Sequence, residues 1–437
     1  MPKAMKLAAP LLALALLSGC ATGGVPSAAG TKLSSDAAVS GQITVWSWDV
    51  AATALKRLSK EYTKEHPGTT INVVDIGYDN AYDKMSVGLQ ANSGLPDVIT
   101  VETDHMPAYI HQFPKAFTDL KPLIGADEAQ FDPSKISASS SADGKLLSMP
   151  WDSGTVALYV RTDYFKAAGV DPSKLATWDD LITAGEEVKA ATGHALISTD
   201  LSTGSLFQML LQQQGQGIFT PDGAINLTSA AAVKALALIK TMNDKGLLDN
   251  VKDWDGRVTA TKNGKSAVMP EAVWWIGTLT GEMPELANKI TVVPLPAFTA
   301  GGTQTSNDGG STLAIPTQAK NPQLAGSFVK FMLANKDNQV SMMKDEGLFP
   351  SYLPALDAPL FHAPQAYFGG EKVYELFAAQ TPKIPSITYT SDNAKAGDTV
   401  SSAVVAAVLN HQDPAAALKS AAEQIATATG RKIAQQP

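Results

Sequence analysis

The chain has 437 residues, a formal net charge of -8 and a single cysteine. Its four arginines (Arg57, Arg161, Arg257, Arg431) are scattered rather than clustered, which argues against a nucleic-acid partner, and one cysteine excludes a disulfide framework. A body of this length is expected to split into two domains, because single cores stop growing beyond about 250–300 residues.

In chain order, Lys3 and Lys6 precede an apolar run, Leu7 to Leu17, that is too short to span a bilayer and ends in Leu17-Ser18-Gly19-Cys20. This is signal-peptide order, and a small-small-cysteine ending resembles the site at which bacterial lipoproteins are lipidated and cleaved. Residues 1–19 therefore read as a leader and Cys20 as the lipid-carrying first residue of the mature chain; the alternative is an ordinary secretory signal with an incidental cysteine. Acyl chains contribute about 0.8 kcal/mol per buried methylene, so two or more anchor a protein without a transmembrane helix. Residues 20–40 are small and polar, a tether of about 25 Å reach. The folded body is expected from Gly41.

Gln42 to Trp48 has strand composition and Asp49 can cap the helix that follows through Leu55, Leu58 and Tyr62. Thr70 to Ile76 reads as a second strand, Tyr78 to Leu89 as a helix, and Pro96 to Val101 as a third strand. Three such units imply a parallel sheet covered by helices on both faces. Leu146 to Pro150 and Thr155 to Arg161 are extended pieces joined by Trp151-Asp152-Ser153-Gly154, where the chain can cross between lobes. Thr177-Trp178-Asp179-Asp180 has capping-box spacing, and helical patterns dominate 204–214 and 229–243. Lys265 to Met269, Ile290 to Pro294 and Ser311 to Ile315 are late strands. Helices are expected over 322–334, 336–344, 371–380, 396–409 and 413–428, the last opening on Asp413-Pro414. Trp46 and Trp178 are assigned to the core.

Motifs for catalysis are scarce. Of six histidines only His105 and His111 are close in sequence, and their spacing of six is not helical ligand spacing, so no built-in metal and no cofactor are expected. The chain has no G-x-S-x-G elbow and no phosphate loop. A glycosidase-like carboxylate pair stays open, because its defining separation is spatial.

Aromatic and acidic residues instead gather at strand ends, where open α/β sheets bind ligands. Trp48 and Asp49 follow the first strand, Tyr78 the second and Asp104 the third. Trp151 and Asp152 fall at the crossing, and Trp274 and Trp275 follow a late strand. Gly309 and Gly310 precede another. A sugar needs this pairing: its axial hydrogens stack on a ring while its hydroxyls seek polar acceptors. For any one residue, core packing or helix capping is the competing explanation.

Across nearly the whole mature chain, several stretches in order resemble the solute-binding proteins of ABC importers, in the carbohydrate-binding, maltose-binding-protein-like family. They are Asn92 to Val98, Trp178 to Leu181, Asn263 to Met269, Gly309-Gly310-Ser311 running into Ile315-Pro316, and Glu346 to Ser351. The resemblance implies an α/β, periplasmic-binding-protein-like fold: two α/β lobes joined by a hinge, with an interlobe ligand cleft. Crossings would fall near 153, 291 and 334, giving 41–153 with 292–333 as lobe 1 and 154–291 with 334–437 as lobe 2. By the same resemblance Asp104 accepts sugar hydroxyls, Trp274 or Trp275 stacks a ring, and Tyr389 adds a further aromatic, with Glu346 also at the cleft. Where the family often has a bulky aromatic after the double glycine, this chain has Ser311-Thr312-Leu313.

The expectation is a monomeric, extracytoplasmic, lipid-anchored receptor that hands a mono- or oligosaccharide to ABC permease subunits without catalysis. Two alternatives stand: a receptor for a phosphorylated polyol or other solute, which calls for a cation in the cleft, and a lipid-anchored glycoside hydrolase.

Overall fold

The computed structural model describes residues 33–34 and 37–435; the leader, Cys20 and the first part of the tether lie outside the described residues. The body begins before Gly41. Leu33 is buried in the core of the first lobe, and Ser34 exchanges backbone hydrogen bonds with the Gln323 amide at 3.1 and 2.5 Å. One leucine in a polar run has no periodicity to announce it.

The first lobe is built on a sheet of five strands in the order β2-β1-β3-β10-β4. These are β1 (Gly41–Ser47), β2 (Thr69–Asp75), β3 (Val98–Glu102), β4 (Met149–Pro150) and, late in the chain, β10 (Ser311–Ala314). The first three pair in parallel, as expected, while β10 enters antiparallel between β3 and β4. Side chains alternate between two cores, so neighbours Val98 and Ile99 go to opposite faces. Ile43, Val45, Val98 and Leu313 pack under the helices Asp49–Glu65 and Pro322–Leu333, and Ile99 and Val101 under Tyr78–Ala91.

The second lobe carries a three-stranded antiparallel sheet, β8-β5-β9, from β5 (Val156–Arg161), β8 (Val268–Ala272) and β9 (Ile290–Val293). A parallel pair, β6 (Ile197–Thr199) and β7 (Leu248–Asn250), stands apart. Val156, Leu158 and Val160 face a large core of helices, among them Ser205–Gln213, Ala230–Asp244, Asn393–Val408 and Pro414–Thr429. Ala157 and Tyr159 face the opposite core, with Trp275, Phe349 and Phe377. The capping box opens the helix Trp178–Thr192 as its spacing predicts: Asp180 N donates to Thr177 Oγ1 at 3.2 Å and Thr177 N to the Asp180 carboxylate at 2.8 Å. Trp178 is core, and Trp46 packs half-buried against the first lobe.

Three extended segments, about 151–156, 305–311 and 347–351, run side by side between the lobes. Trp151 N donates to Ser311 O (2.9 Å), Ser153 N to Phe349 O (2.8 Å), and Asp308 N to Gly154 O (2.8 Å). The first crossing is expected near 153, a position inside the first of these segments. β9 pairs with β5, so the chain stays in the second lobe past the crossing expected near 291. The helix Lys336–Glu346 splits its buried face, Met342 in the first lobe's core and Met343 in the second's, so the third passage follows that helix instead of preceding it at 334. Strand composition cannot say which sheet a strand joins, nor helix periodicity which core a helix packs on, so the bounds expected at 292 and 334 differ from these contacts. Backbones approach so closely here that a Cβ on Gly154 would overlap the Asp308 carbonyl oxygen. Among the described residues no helix is long and apolar enough to cross a membrane.

Candidate functional site

A cavity of about 790 Å³ lies on these crossings, walled by both lobes. Trp48, Asp49, Tyr78 and Asp104 line it from the first lobe, Trp274 and Tyr389 from the second, and Asp152, Gly309 and Gly310 from the crossings. Nine of the twelve sequence-predicted residues are thus brought together.

Three are not. Trp151 and Trp275 are wholly buried in the cores on either side. Glu346 is buried at the end of its helix and forms a two-pronged ion pair with Arg57, 2.7 Å on each arm. For the two tryptophans the reason is one of facing: of the adjacent pairs Trp151-Asp152 and Trp274-Trp275, one residue lines the cavity and its neighbour enters a core.

The first-lobe wall is an aromatic frame around carboxylates. Trp48 meets Tyr78 edge-on at 5.7 Å, and Tyr82 stacks on His105 at 3.9 Å. Both tyrosine hydroxyls donate to Glu102 Oε2, at 3.1 Å from Tyr78 and 2.6 Å from Tyr82. His105 Nδ1 lies 2.8 Å from Asp104 Oδ1 and 4.0 Å from Glu102. Burial, then the neighbouring Asp104, pushes Glu102 up to about 7. Burial opposes charge on His105 as well, but Asp104 and Glu102 carry it to about 9. Burial would likewise raise Asp104; the His105 cation and hydrogen bond outweigh it and hold the group below the usual carboxylate range. At neutral pH the corner therefore holds an ionised Asp104 beside a protonated His105.

Glu102, Asp104 and His105 place donor atoms within 4.8 Å of one another, the group among the described residues that suits a divalent cation. A cation there would have to displace the proton that His105 holds. The site fits hydrogen-bonded hydroxyls without that cost.

On the second lobe Trp274 donates its indole N–H to Asp308 O at 3.1 Å and packs 5.6 Å from Trp254. Arg257 lies over Trp254 at 5.2 Å and donates to Glu271 at 3.1 Å. Burial raises Asp308, against the pull of Arg257. Asp152 also serves the crossing, its Oδ1 accepting from Ser311 N at 2.7 Å.

Sequence reasoning missed His105, Trp254 and Asp253 as lining residues, while Glu102 stood beside Asp104 at the end of the third strand without being counted as a site residue. The signal was available for the last two, since Asp253-Trp254 repeats the pairing of aromatic and acid at Trp48-Asp49. The two aspartates also share a backbone feature: each begins a helix at the cavity with positive φ, +45° at Asp49 and +57° at Asp253. Such strained residues persist where surrounding structure imposes them, and they cluster at ligand sites.

The chain matches the family model for bacterial extracellular solute-binding proteins over residues 47–339. It is 31% identical to a lactose-binding protein of Rhizobium radiobacter over 371 residues, covering 83% of this chain and 87% of that one. It is 28% identical to an arabinooligosaccharide-binding protein of Bacillus subtilis (strain 168), covering 84% and 87%. In fold it is similar to the ABC-transporter-associated binding protein of B. animalis subsp. lactis solved with β-1,6-galactobiose, with a TM-score of 0.81 at 24% identity over 91% of this chain and 100% of that one. Two α/β lobes, a cleft on their crossings and these likenesses agree: the chain belongs to the bacterial extracellular solute-binding proteins.

Proposed function

We propose that this protein captures a neutral saccharide in the interlobe cleft and presents it, chemically unchanged, to the permease of an ABC importer. The observation that carries this reading is the alternation, around one cavity, of ring faces with oxygen acceptors: Trp48, Tyr78, Trp274 and Tyr389 against Glu102, Asp104 and Asp308. Rings stack the apolar sugar faces, and carboxylates accept from the hydroxyls. Rotation of the lobes about the three crossings closes the two walls on the ligand. The sugars bound by the lactose- and arabinooligosaccharide-binding relatives support the same class.

An anionic solute fits this cleft poorly. Of the cationic groups lining it, the Arg257 guanidinium is turned to Glu271 and the protonated His105 to Asp104. Cys20 carries the lipid that keeps the receptor beside its permease. The test is a thermal-shift screen of neutral saccharides against glycerol phosphate. A ligand present at a hundred times its Kd adds about 2.7 kcal/mol of apparent stability. A midpoint raised by glycerol phosphate and by no neutral sugar would overturn the reading.

A further inference from the structure

A carboxylate stands in the strand behind the second-lobe wall. Glu271, in β8, is buried to 6% exposure. Its Oε1 accepts from Arg257 Nη1 at 3.1 Å, and its Oε2 has no hydrogen-bond partner among the described residues. Burial pushes the group up to about 7; the Arg257 cation pulls the other way and Asp308 adds to the rise. Burying a carboxylate is costly unless a partner repays it, and an apolar side chain in the same place is often as good for stability. The reason for a charge here therefore lies with its one partner, and that partner lines the ligand cavity.

Arg257 comes from the helix Asp253–Lys262. Its guanidinium lies 5.2 Å over the Trp254 ring, which in turn packs 5.6 Å from Trp274 and edge-on at 5.4 Å to Trp275. Contacts thus run from the buried strand to the stacking wall through Glu271, Arg257, Trp254 and Trp274. A long side chain beside an open cavity samples many rotamers. Fixed by Glu271 at one nitrogen and by the Trp254 face, this one presents its planar fork in one orientation.

The cavity needs such a fork. Eight of its described lining residues are carboxylates, which when ionised only accept hydrogen bonds. The ring and glycosidic oxygens of a saccharide carry no proton, so they need donors. A guanidinium has several N–H donors and no acceptor, and among the described residues only the bond to Glu271 is made by Arg257. Glu271 also cancels the charge, so the wall offers donors without favouring an anion.

We propose that Glu271 is a positioning residue of the ligand site: it never touches the sugar, but holds Arg257 on Trp254 so that the remaining N–H groups of the guanidinium donate to a ring or glycosidic oxygen. This rests on the saccharide reading above and adds to it the donor side of recognition and the buried group that sets it.

Titration calorimetry of the full chain with lactose and with arabinotriose tests this in four proteins: unmodified, Glu271→Met, Arg257→Met and the double variant. Glu271→Met keeps the length of the side chain and removes its acceptors, and should raise Kd about tenfold. In the Arg257→Met background the same change should cost less than about twofold, because no guanidinium is left to position. Glu271→Gln keeps one carbonyl oxygen for Nη1 and should recover most of the loss. A packing role would weaken binding equally in both backgrounds and would not separate Gln from Met. Either of those results, or an unchanged Kd in Glu271→Met, overturns the inference and leaves the saccharide reading standing. Should a methionine variant fail to fold, Glu271→Gln with Arg257→Gln forms the same cycle, with the same coupling expected. If the unmodified protein binds no neutral saccharide, the saccharide reading falls and this inference with it.

Discussion

Trp274 and Trp275 are adjacent in sequence, and their truncation should produce opposite phenotypes. Trp275 is wholly buried in the second lobe's core. Removing a buried tryptophan costs about 3–5 kcal/mol. At about 2–4 °C per kcal/mol for a unit of this size, Trp275→Ala should lower the ligand-free melting midpoint by roughly 6–20 °C. Trp274 is half-buried, faces the cavity and makes one indole hydrogen bond, to Asp308 O at 3.1 Å. Losing that bond costs about 1 kcal/mol, so the midpoint of Trp274→Ala should fall by only a few degrees. Its effect on binding should be larger. Ring stacking is worth about 0.5–1.5 kcal/mol beyond area burial, and covering roughly 40 Å² of apolar surface adds about 1 kcal/mol. Together these make about 2 kcal/mol, roughly thirtyfold in Kd. Circular-dichroism melts and calorimetric titration of the same samples separate the two quantities. If Trp275→Ala weakens the sugar with an unchanged midpoint while Trp274→Ala binds normally, the placement of both residues is wrong.

His105 gains its folded-state proton from Asp104 and Glu102, so its stabilisation is complete below about pH 6.5 and disappears as pH rises through about 9. The midpoint deficit of His105→Gln, followed by melts from pH 6 to 10, should therefore shrink toward the alkaline end; a deficit that grows there contradicts the ion pair. Glu346→Ala should lower the melting midpoint and leave sugar affinity within a factor of two, because Glu346 serves Arg57 and the third crossing, not the cleft. A large loss of affinity with an unchanged midpoint would return it to the site. Cys20→Ala should move the protein from the membrane to the soluble fraction with its Kd intact, and retention on membranes would show that the anchor lies elsewhere.

Local patterns were legible wherever the controlling physics is local. The capping box at Thr177–Asp180 and the Asp413 cap opening Pro414–Thr429 need only neighbours along the chain, and both form as their spacing requires. The three opening strands of the first lobe carry their own β-branched, two-sided apolar signature. Much of the cavity lining was legible too: Trp48, Tyr78, Asp104 and Trp274 from their places after strands, and Tyr389 from the family resemblance, line one cavity.

What failed has one cause: which way a side chain faces, and which sheet a strand joins, are decided by contacts distant in sequence. Trp151 turns into the first lobe's core, Trp275 into the second's, and Leu33 docks on a helix almost three hundred residues later. β9 looks like any short strand until β5 claims it. The sequence by itself determined the α/β class, the helix caps at Thr177 and Asp413 and the stock of rings and carboxylates, since propensity, capping and composition act over a few residues, whereas the cap expected at Asp49 falls on Trp48. Only the tertiary structure decided the positions of the second and third crossings, the shared proton balance of Glu102, Asp104 and His105, and the burial of Trp151 and Trp275 in the cores, since each requires segments from both halves of the chain or burial by them.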